Sequence, residues 1–110
     1  MEIWKDIDGY DGKYQVSTWG RVRNAKTGKI KKQYYNEKGY LKVQLCFKGK
    51  IKKHRVNRLV AQAFVLNPYD LPQVNHKDGN KENNSFTNLE WTTNEINQKH
   101  RRMLKNGEIL

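Results

Sequence analysis

The stretch Val74-Asn75-His76-Lys77-Asp78-Gly79-Asn80, continued by Asn83-Asn84 and by Asn88-Leu89-Glu90-Trp91, decides how this chain is read. Leu71 to His76 reads as extended backbone. Asp78-Gly79-Asn80 is a turn signal, and a polar loop runs from there to Thr87. Leu89-Glu90-Trp91 follows as a short strand. Thr92-x-x-Glu95 has the capping-box pattern and predicts a final helix over residues 94–105, closed by Asn106-Gly107. Seven of the twelve asparagines fall between positions 75 and 97. Asparagine tolerates left-handed backbone and mimics turns, which accounts for Asn80, Asn83 and Asn84. Three others are placed differently. Asn75 ends a strand beside His76, Asn88 leads into the next strand, and Asn97 sits in the first turn of the helix. Strand, loop, strand and helix, with polar side chains at these points, form a frame able to converge them on one metal ion.

Upstream of this stretch the hydrophobic period is helical. Val56, Leu59, Val60, Ala63 and Phe64 predict an amphipathic helix over residues 55–65, ended by Asn67-Pro68 because the residue before proline avoids helical backbone. Further upstream the period is two. Leu41, Val43, Leu45 and Phe47 alternate with Lys42, Gln44, Cys46 and Lys48, and Lys48-Gly49 turns this strand back into a partner over residues 50–54. Asn36 to Gly39 is another turn, and Thr27-Gly28 separates Val22 from Ile30 as a hairpin turn would. Residues 1–20 read as short strands anchored by Ile3, Trp4, Ile7, Tyr10, Tyr14, Val16 and Trp19, with turns at Asp8-Gly9 and Asp11-Gly12.

At 110 residues and 13.1 kDa the chain forms one domain, or two very small ones sharing a thin core. Mean hydropathy is −1.05, but three Trp, six Tyr and three Phe argue against disorder. No run approaches the roughly 18 apolar residues of a membrane span. No signal-peptide core opens the chain, so the expected compartment is the cytoplasm, with no membrane partner. The single Cys46 excludes an internal disulfide and a cysteine-based zinc site. The formal net charge is +11, and residues 1–53 alone hold 14 Lys/Arg against 5 Asp/Glu. Residues 54–100 hold five of each. An excess concentrated in one half suits a footprint for phosphates better than a solubilising charge. Lys29, Lys31, Lys32, Lys48, Lys50, Lys52 and Lys53 interleave with strand-like apolar residues, which suggests a sheet with its lysines on one face, lying along a nucleic-acid backbone.

The chain resembles the HNH endonucleases, nucleases of the ββα-metal (His-Me finger) fold that include phage and intron homing enzymes. The resemblance is carried by Val74 to Asn80, Asn83-Asn84, Asn88-Leu89-Glu90-Trp91 and Asn97 through His100. His76, Asn88 and Asn97 stand where the His-Asn-His/Asn signature lies. Arg58-Leu59-Val60-Ala61-x-Ala63-Phe64 and Asn67-Pro68 resemble the helix and linker before that motif. Glu2-Ile3-Trp4-Lys5-Asp6, Tyr14-Gln15-Val16-Ser17 and Gly20-Arg21-Val22 resemble a DNA-binding module that accompanies these nucleases. The resemblance implies an α+β chain in which residues 1–53 form a basic, antiparallel β-rich DNA-binding part. Residues 54–110 would form the nuclease module, a helix and then a ββα-metal core over about residues 71–105.

It also implies roles. His76 would be the general base on the attacking water, a task suited to a group titrating near neutral pH. Asn88 would hold the loop and orient His76 by a hydrogen bond. Asn75 and Asn97 would coordinate a hard divalent cation, Mg²⁺ or else Mn²⁺, through their amide oxygens. His100, three residues after Asn97, would be an extra ligand, a phosphate contact or a solvated side chain. The DNA-binding set is Arg21, Arg23, Lys29, Lys31, Lys32, Lys50, Lys52, Lys53, Arg55 and Arg58. His54 fits either strand-to-helix packing or a DNA contact, Trp91 and Phe64 fit the core, and Cys46 has no role. The function expected is metal-dependent hydrolysis of DNA phosphodiester bonds in the host cell of a phage or mobile element. A monomer would nick one strand and a homodimer would cut both. The rival is a non-catalytic DNA-binding protein on the same scaffold. Exposed aromatics such as Tyr34 and Tyr35 would favour a third reading, RNA binding.

Overall fold

In the computed structural model, residues 1–93, 95 and 96 are described. Strands β1 (Trp4–Asp6), β2 (Tyr14–Ser17) and β3 (Val22–Asn24) form an antiparallel sheet in the order β1-β2-β3. The expected Thr27-Gly28 turn is present: Gly28 N–H donates to Asn24 O (2.8 Å), and Arg23 bridges Ile30 beyond it. A second antiparallel sheet runs β4-β5-β6, with β4 at Tyr34–Tyr35, β5 at Leu41–Phe47 and β6 at Lys50–Arg55. Asn36 closes the β4–β5 turn by accepting the Lys38 and Tyr40 amides on Oδ1 (both 2.9 Å). The helix α1 (Val56–Phe64) starts directly after β6 with no intervening loop. It buries Val56, Asn57, Leu59, Val60 and Ala61, then stops where Val65 turns extended. Asn67 fixes the following loop by bonding Leu71 through both amide atoms (2.8 and 2.9 Å).

The last sheet pairs β7 (Gln73–His76) with β8 (Leu89–Thr92), in the register Asn75↔Glu90 and His76↔Leu89. A turn of 3₁₀ helix, Phe86–Asn88, leads into β8. The capping residue after β8 lies one position beyond the expected Thr92. Thr92 is buried in the strand, and Thr93 Oγ1 accepts the Ile96 amide (3.2 Å). A strand side chain committed to the core cannot also turn out to cap, so the next threonine does it. Glu95 and Ile96 are helical. The remainder of the helix expected over 94–105, and with it Asn97 and His100, lies outside the described residues.

One hydrophobic cluster joins all three sheets and the helix. It runs from Ile7, Tyr10, Tyr14 and Val16 through Val43 and Leu45 to Val60, Val74 and Leu89. Each fully buried Val or Leu contributes on the order of 1.5–3 kcal/mol of transfer free energy, so neither half keeps its core without the other. Of the seven N-terminal anchors, Ile3 (53% exposed) and Trp19 (57%) face solvent instead. Trp4 is half-buried beneath two arginines, with Arg23 4.0 Å and Arg21 5.5 Å from its ring centre. The single lysine face is not formed. The register sets Lys52 opposite Leu45 and Lys53 opposite Gln44, so consecutive lysines leave on opposite faces of an edge strand. Tyr34 is half-buried and its hydroxyl is enclosed, which leaves Tyr35 as the exposed member of that pair.

Candidate active site

Strand β7 ends in the two residues the sequence singles out. Val74, Asn75 and His76 are all buried, and a tight turn follows at once, with Gly79 N–H donating to His76 O (2.9 Å). Gly79 takes φ +76°, a conformation that favours glycine. The loop beyond is organised by the Asp78 carboxylate. Its Oδ1 accepts the Asn80 amide (2.8 Å) and Asn88 Nδ2 (2.9 Å), and its Oδ2 accepts Asn83 Nδ2 (3.0 Å). Burial pulls the Asp78 carboxyl upward, but the hydrogen bonds from Asn83, Asn80 and Asn88 outweigh it and hold the group below its ordinary value.

Asn88 is the second organiser. Its Oδ1 accepts the Asp78 amide (3.2 Å), and its Nδ2 donates to Asn83 O (2.9 Å) as well as to Asp78. Asn88 thereby bridges the two ends of the loop. The expected hydrogen bond from Asn88 to the His76 ring is replaced by another: His76 Nε2 lies 2.7 Å from Asn84 Oδ1. With its amide atoms spent on Asp78 and Asn83, Asn88 fixes the loop. Asn84, which reads in sequence as a turn residue, is 4% exposed and reaches the ring. No spacing rule marks it, because Asn84 is brought to His76 by a non-local fold of the loop.

His76 is 5% exposed, and burial first of all holds its pKa below the ordinary imidazole value, against smaller upward effects of Asn84 and Asp78. Asn75 Nδ2 donates to Glu90 Oε1 across the sheet (2.9 Å), which sets the orientation of its amide. An amide oxygen at a strand end is the donor type a hard divalent cation takes, so Asn75 fits such an ion. Among the described residues no three His, Cys, Asp or Glu side chains come together as a metal cage. An ion held here would therefore complete its shell with amide oxygens, water and phosphate.

Tyr40, just before β5, links this site to the basic surface. Its ring lies 6.0 Å from that of His76, with Arg55 (4.6 Å) and Lys81 (4.8 Å) against the same ring. From Arg55 a depression lined by Lys42, Lys52, Lys53 and Arg58 runs along β5, β6 and α1. Lys29, Lys31 and Lys32 line a separate depression by the first hairpin. Lys50 is exposed near the β5–β6 turn. Arg21 is paired with Glu2, and Arg23 Nε donates to Gln15 Oε1 (2.9 Å), so both sit in side-chain networks around Trp4. Arg58 donates to Pro72 O (3.0 Å). His54 is half-buried and also lines the depression along β5, β6 and α1, hydrogen-bonded through Nε2 to the Tyr10 hydroxyl (2.6 Å), with burial and then Lys52 and Lys42 holding its pKa low. Sequence reading missed Lys42, Tyr40, Lys81 and Asn84. Lys42 has a signal in the alternation of β5, whereas the other three are defined only by tertiary packing.

Comparison with known proteins covers both halves. Residues 2–46 match the family described as NUMOD4 motif and residues 52–99 the family described as HNH endonuclease. The chain is 48% identical over 94 residues to the DNA endonuclease I-HmuI of Bacillus phage SP01, spanning 86% of this chain and 54% of that protein. It is 34% identical over 95 residues to the H-N-H endonuclease F-TflII of Escherichia phage T5, spanning 81% of this chain and 47% of that protein. The structure solved for DNA binding and cleavage by the HNH homing endonuclease I-HmuI superposes with a TM-score of 0.82 at 43% identity, over 98% of this chain and 61% of that one. The chain thus spans about half the length of these curated relatives. A small α+β fold of antiparallel sheets and one helix, a buried histidine at the end of β7, and the match of residues 52–99 identify that segment as an HNH endonuclease segment, preceded by a NUMOD4 motif over residues 2–46.

Proposed function

We propose that this chain is a metal-dependent endonuclease that hydrolyses phosphodiester bonds of DNA, acting as a monomer that nicks one strand. The observation that carries the reading is His76: a buried imidazole at the end of β7, its pKa held down by burial, with Nε2 engaged by Asn84 and Asn75 beside it. With Nε2 engaged, Nδ1 takes the proton of a water molecule as its oxygen attacks phosphorus. A new P–O bond forms and the bond to the 3′ oxygen breaks; that oxygen takes a proton from solvent, leaving a 5′ phosphate and a 3′ hydroxyl. Asn75, together with Asn97 and His100 as the sequence assigns them, would hold Mg²⁺ or Mn²⁺, which when bound stabilises charge on the phosphate and the departing oxygen. Asn88 keeps the loop that carries Asp78 and Asn83 closed against β7.

Residues 1–53 act as the DNA-binding part and residues 54–110 as the nuclease module. The depression lined by Lys42, Lys52, Lys53, Arg55 and Arg58 guides the duplex backbone toward Tyr40 and His76, supported by Lys29, Lys31, Lys32, Lys50, Arg21 and Arg23. The expected setting is the host cell of a phage or mobile element. No helix among the described residues is long and apolar enough to cross a membrane. A supercoiled-plasmid assay tests the proposal. Conversion to nicked circles with Mg²⁺ or Mn²⁺, and none with EDTA, is expected. Retardation of DNA with no nicking under any metal would instead support a non-catalytic DNA-binding scaffold.

A further inference from the structure

We propose that Asn84 is the positioning residue that fixes the tautomer of His76, and that the N-terminal half of the chain holds Asn84 in place. This rests on the reading of His76 as the general base. An amide oxygen can only accept, so at 2.7 Å from Asn84 Oδ1 the His76 Nε2 must carry the hydrogen. In a neutral ring that leaves the basic lone pair on Nδ1. The same contact fixes the rotation of the ring about its side-chain bonds.

Asn84 has no regular element to hold it. It lies in the loop between β7 and β8 and is nonetheless 4% exposed. What covers it comes from the first half of the chain. Gly20 takes φ +86°, and a Cβ built there would sit 2.8 Å from Asn84 Cβ and 3.1 Å from Asn84 O. The glycine is thus required both by its own backbone and by the asparagine beneath it. Phe86 N–H donates to Thr18 O (2.9 Å), which ties the same loop to the turn after β2. Gln33 Nε2 donates to Gly20 O (2.8 Å) and holds that turn from its far side. The Tyr40 ring also lies against the imidazole, its centre 6.0 Å away. His76 is therefore held by contacts with Asn84 and Tyr40; Tyr40 and the residues that hold Asn84 belong to residues 18–40. The base is completed by the segment that the sequence assigns to DNA binding.

The test uses the full chain with ¹⁵N-labelled histidine and three proteins: wild type, Asn84→Leu and Asn84→Asp. Leucine keeps the branched outline with somewhat more bulk and removes the acceptor, whereas aspartate keeps both the size and an acceptor oxygen in place. The ring ¹⁵N spectrum of the wild type should show His76 protonated at Nε2 and bare at Nδ1. Asn84→Leu should lower the single-turnover nicking rate about 10- to 100-fold, the range found when the partner that orients a functional histidine is removed. Its affinity for DNA should stay within about twofold of wild type, because Asn84 is buried away from the basic surface. Asn84→Asp should recover most of the rate, which a purely steric role for position 84 does not predict. The proposal is overturned if the wild-type ring carries its hydrogen on Nδ1, or if Asn84→Leu nicks as fast as wild type. Should Asn84→Leu fail to fold, the aspartate variant decides, and a rate as low as that of His76→Ala would count against the proposal. Absence of nicking by wild type with both metals would sink the nuclease reading itself, while the ring spectrum would still settle the tautomer.

Discussion

At the scale of the residue, the asparagines of the β7–β8 loop look alike in sequence and do different work. Asn88 spends its whole amide on Asp78 and Asn83. Removing it takes one donor from the exposed Asp78 carboxylate and one from the half-buried Asn83 carbonyl, and empties a buried position. Asn88→Ala is therefore expected to cost roughly 0.5–1.5 kcal/mol of stability, read as a lower urea midpoint, with nicking reduced in the residual folded protein. An unchanged midpoint would show that water replaces the amide. The pattern of histidine and asparagine points to Asn75, His76 and Asn88 because each stands at the junction of a strand and a turn, where local rules apply. Asn84 is illegible for the same reason. Its role depends on Gly20 and Thr18, more than sixty positions away, and no local spacing encodes that approach.

At the scale of the element, β5, β6 and α1 are the most legible parts, since seven alternating residues and then a 3.6-residue period leave little choice of structure. Which side of β6 its lysines take is less so. Alternation gives opposite faces to Lys52 and Lys53, but only the order β4-β5-β6 reveals that β6 is an edge with both faces near solvent. The lysines thus surround the edge of the sheet instead of lining one side. Substituting Lys42, Lys52 and Lys53 together by Gln is expected to weaken binding to all DNA sequences. The slope of log affinity against log salt should fall by roughly 0.9 for each phosphate that the variant no longer neutralises. Fluorescence anisotropy between low and moderate salt measures it, and an unchanged slope would assign these lysines to solvent. The two-residue strand β4 and the one-position shift of the cap from Thr92 to Thr93 escape the sequence because both are settled by tertiary packing.

At the scale of the whole molecule, the two halves share one core, and two histidines, His76 buried and His54 half-buried, have pKa values held low by burial. His54, pressed against Tyr10 and flanked by Lys52 and Lys42, is held low by burial first, and His76 is held low by burial too. A histidine harder to protonate folded than unfolded binds fewer protons in the native state, so stability rises with pH across the interval. The melting temperature should hold above the ordinary imidazole value of about 6.5 and decline as pH falls below it. His54→Gln should remove part of that dependence, and a flat profile from pH 7 to 5 would contradict the burial of these rings. The basic first half is legible from charge counts alone, yet its packing against the active site is not, because composition carries no information about which surfaces meet. The nuclease reading stands on His76 as the base in a metal-dependent cut. The most direct measurement compares wild type with His76→Ala in single-turnover plasmid nicking at saturating Mg²⁺, with DNA affinity measured in parallel. A catalytic His76 predicts a fall of at least about 10²-fold in rate with affinity changed less than twofold; nicking by the variant at the wild-type rate would contradict it.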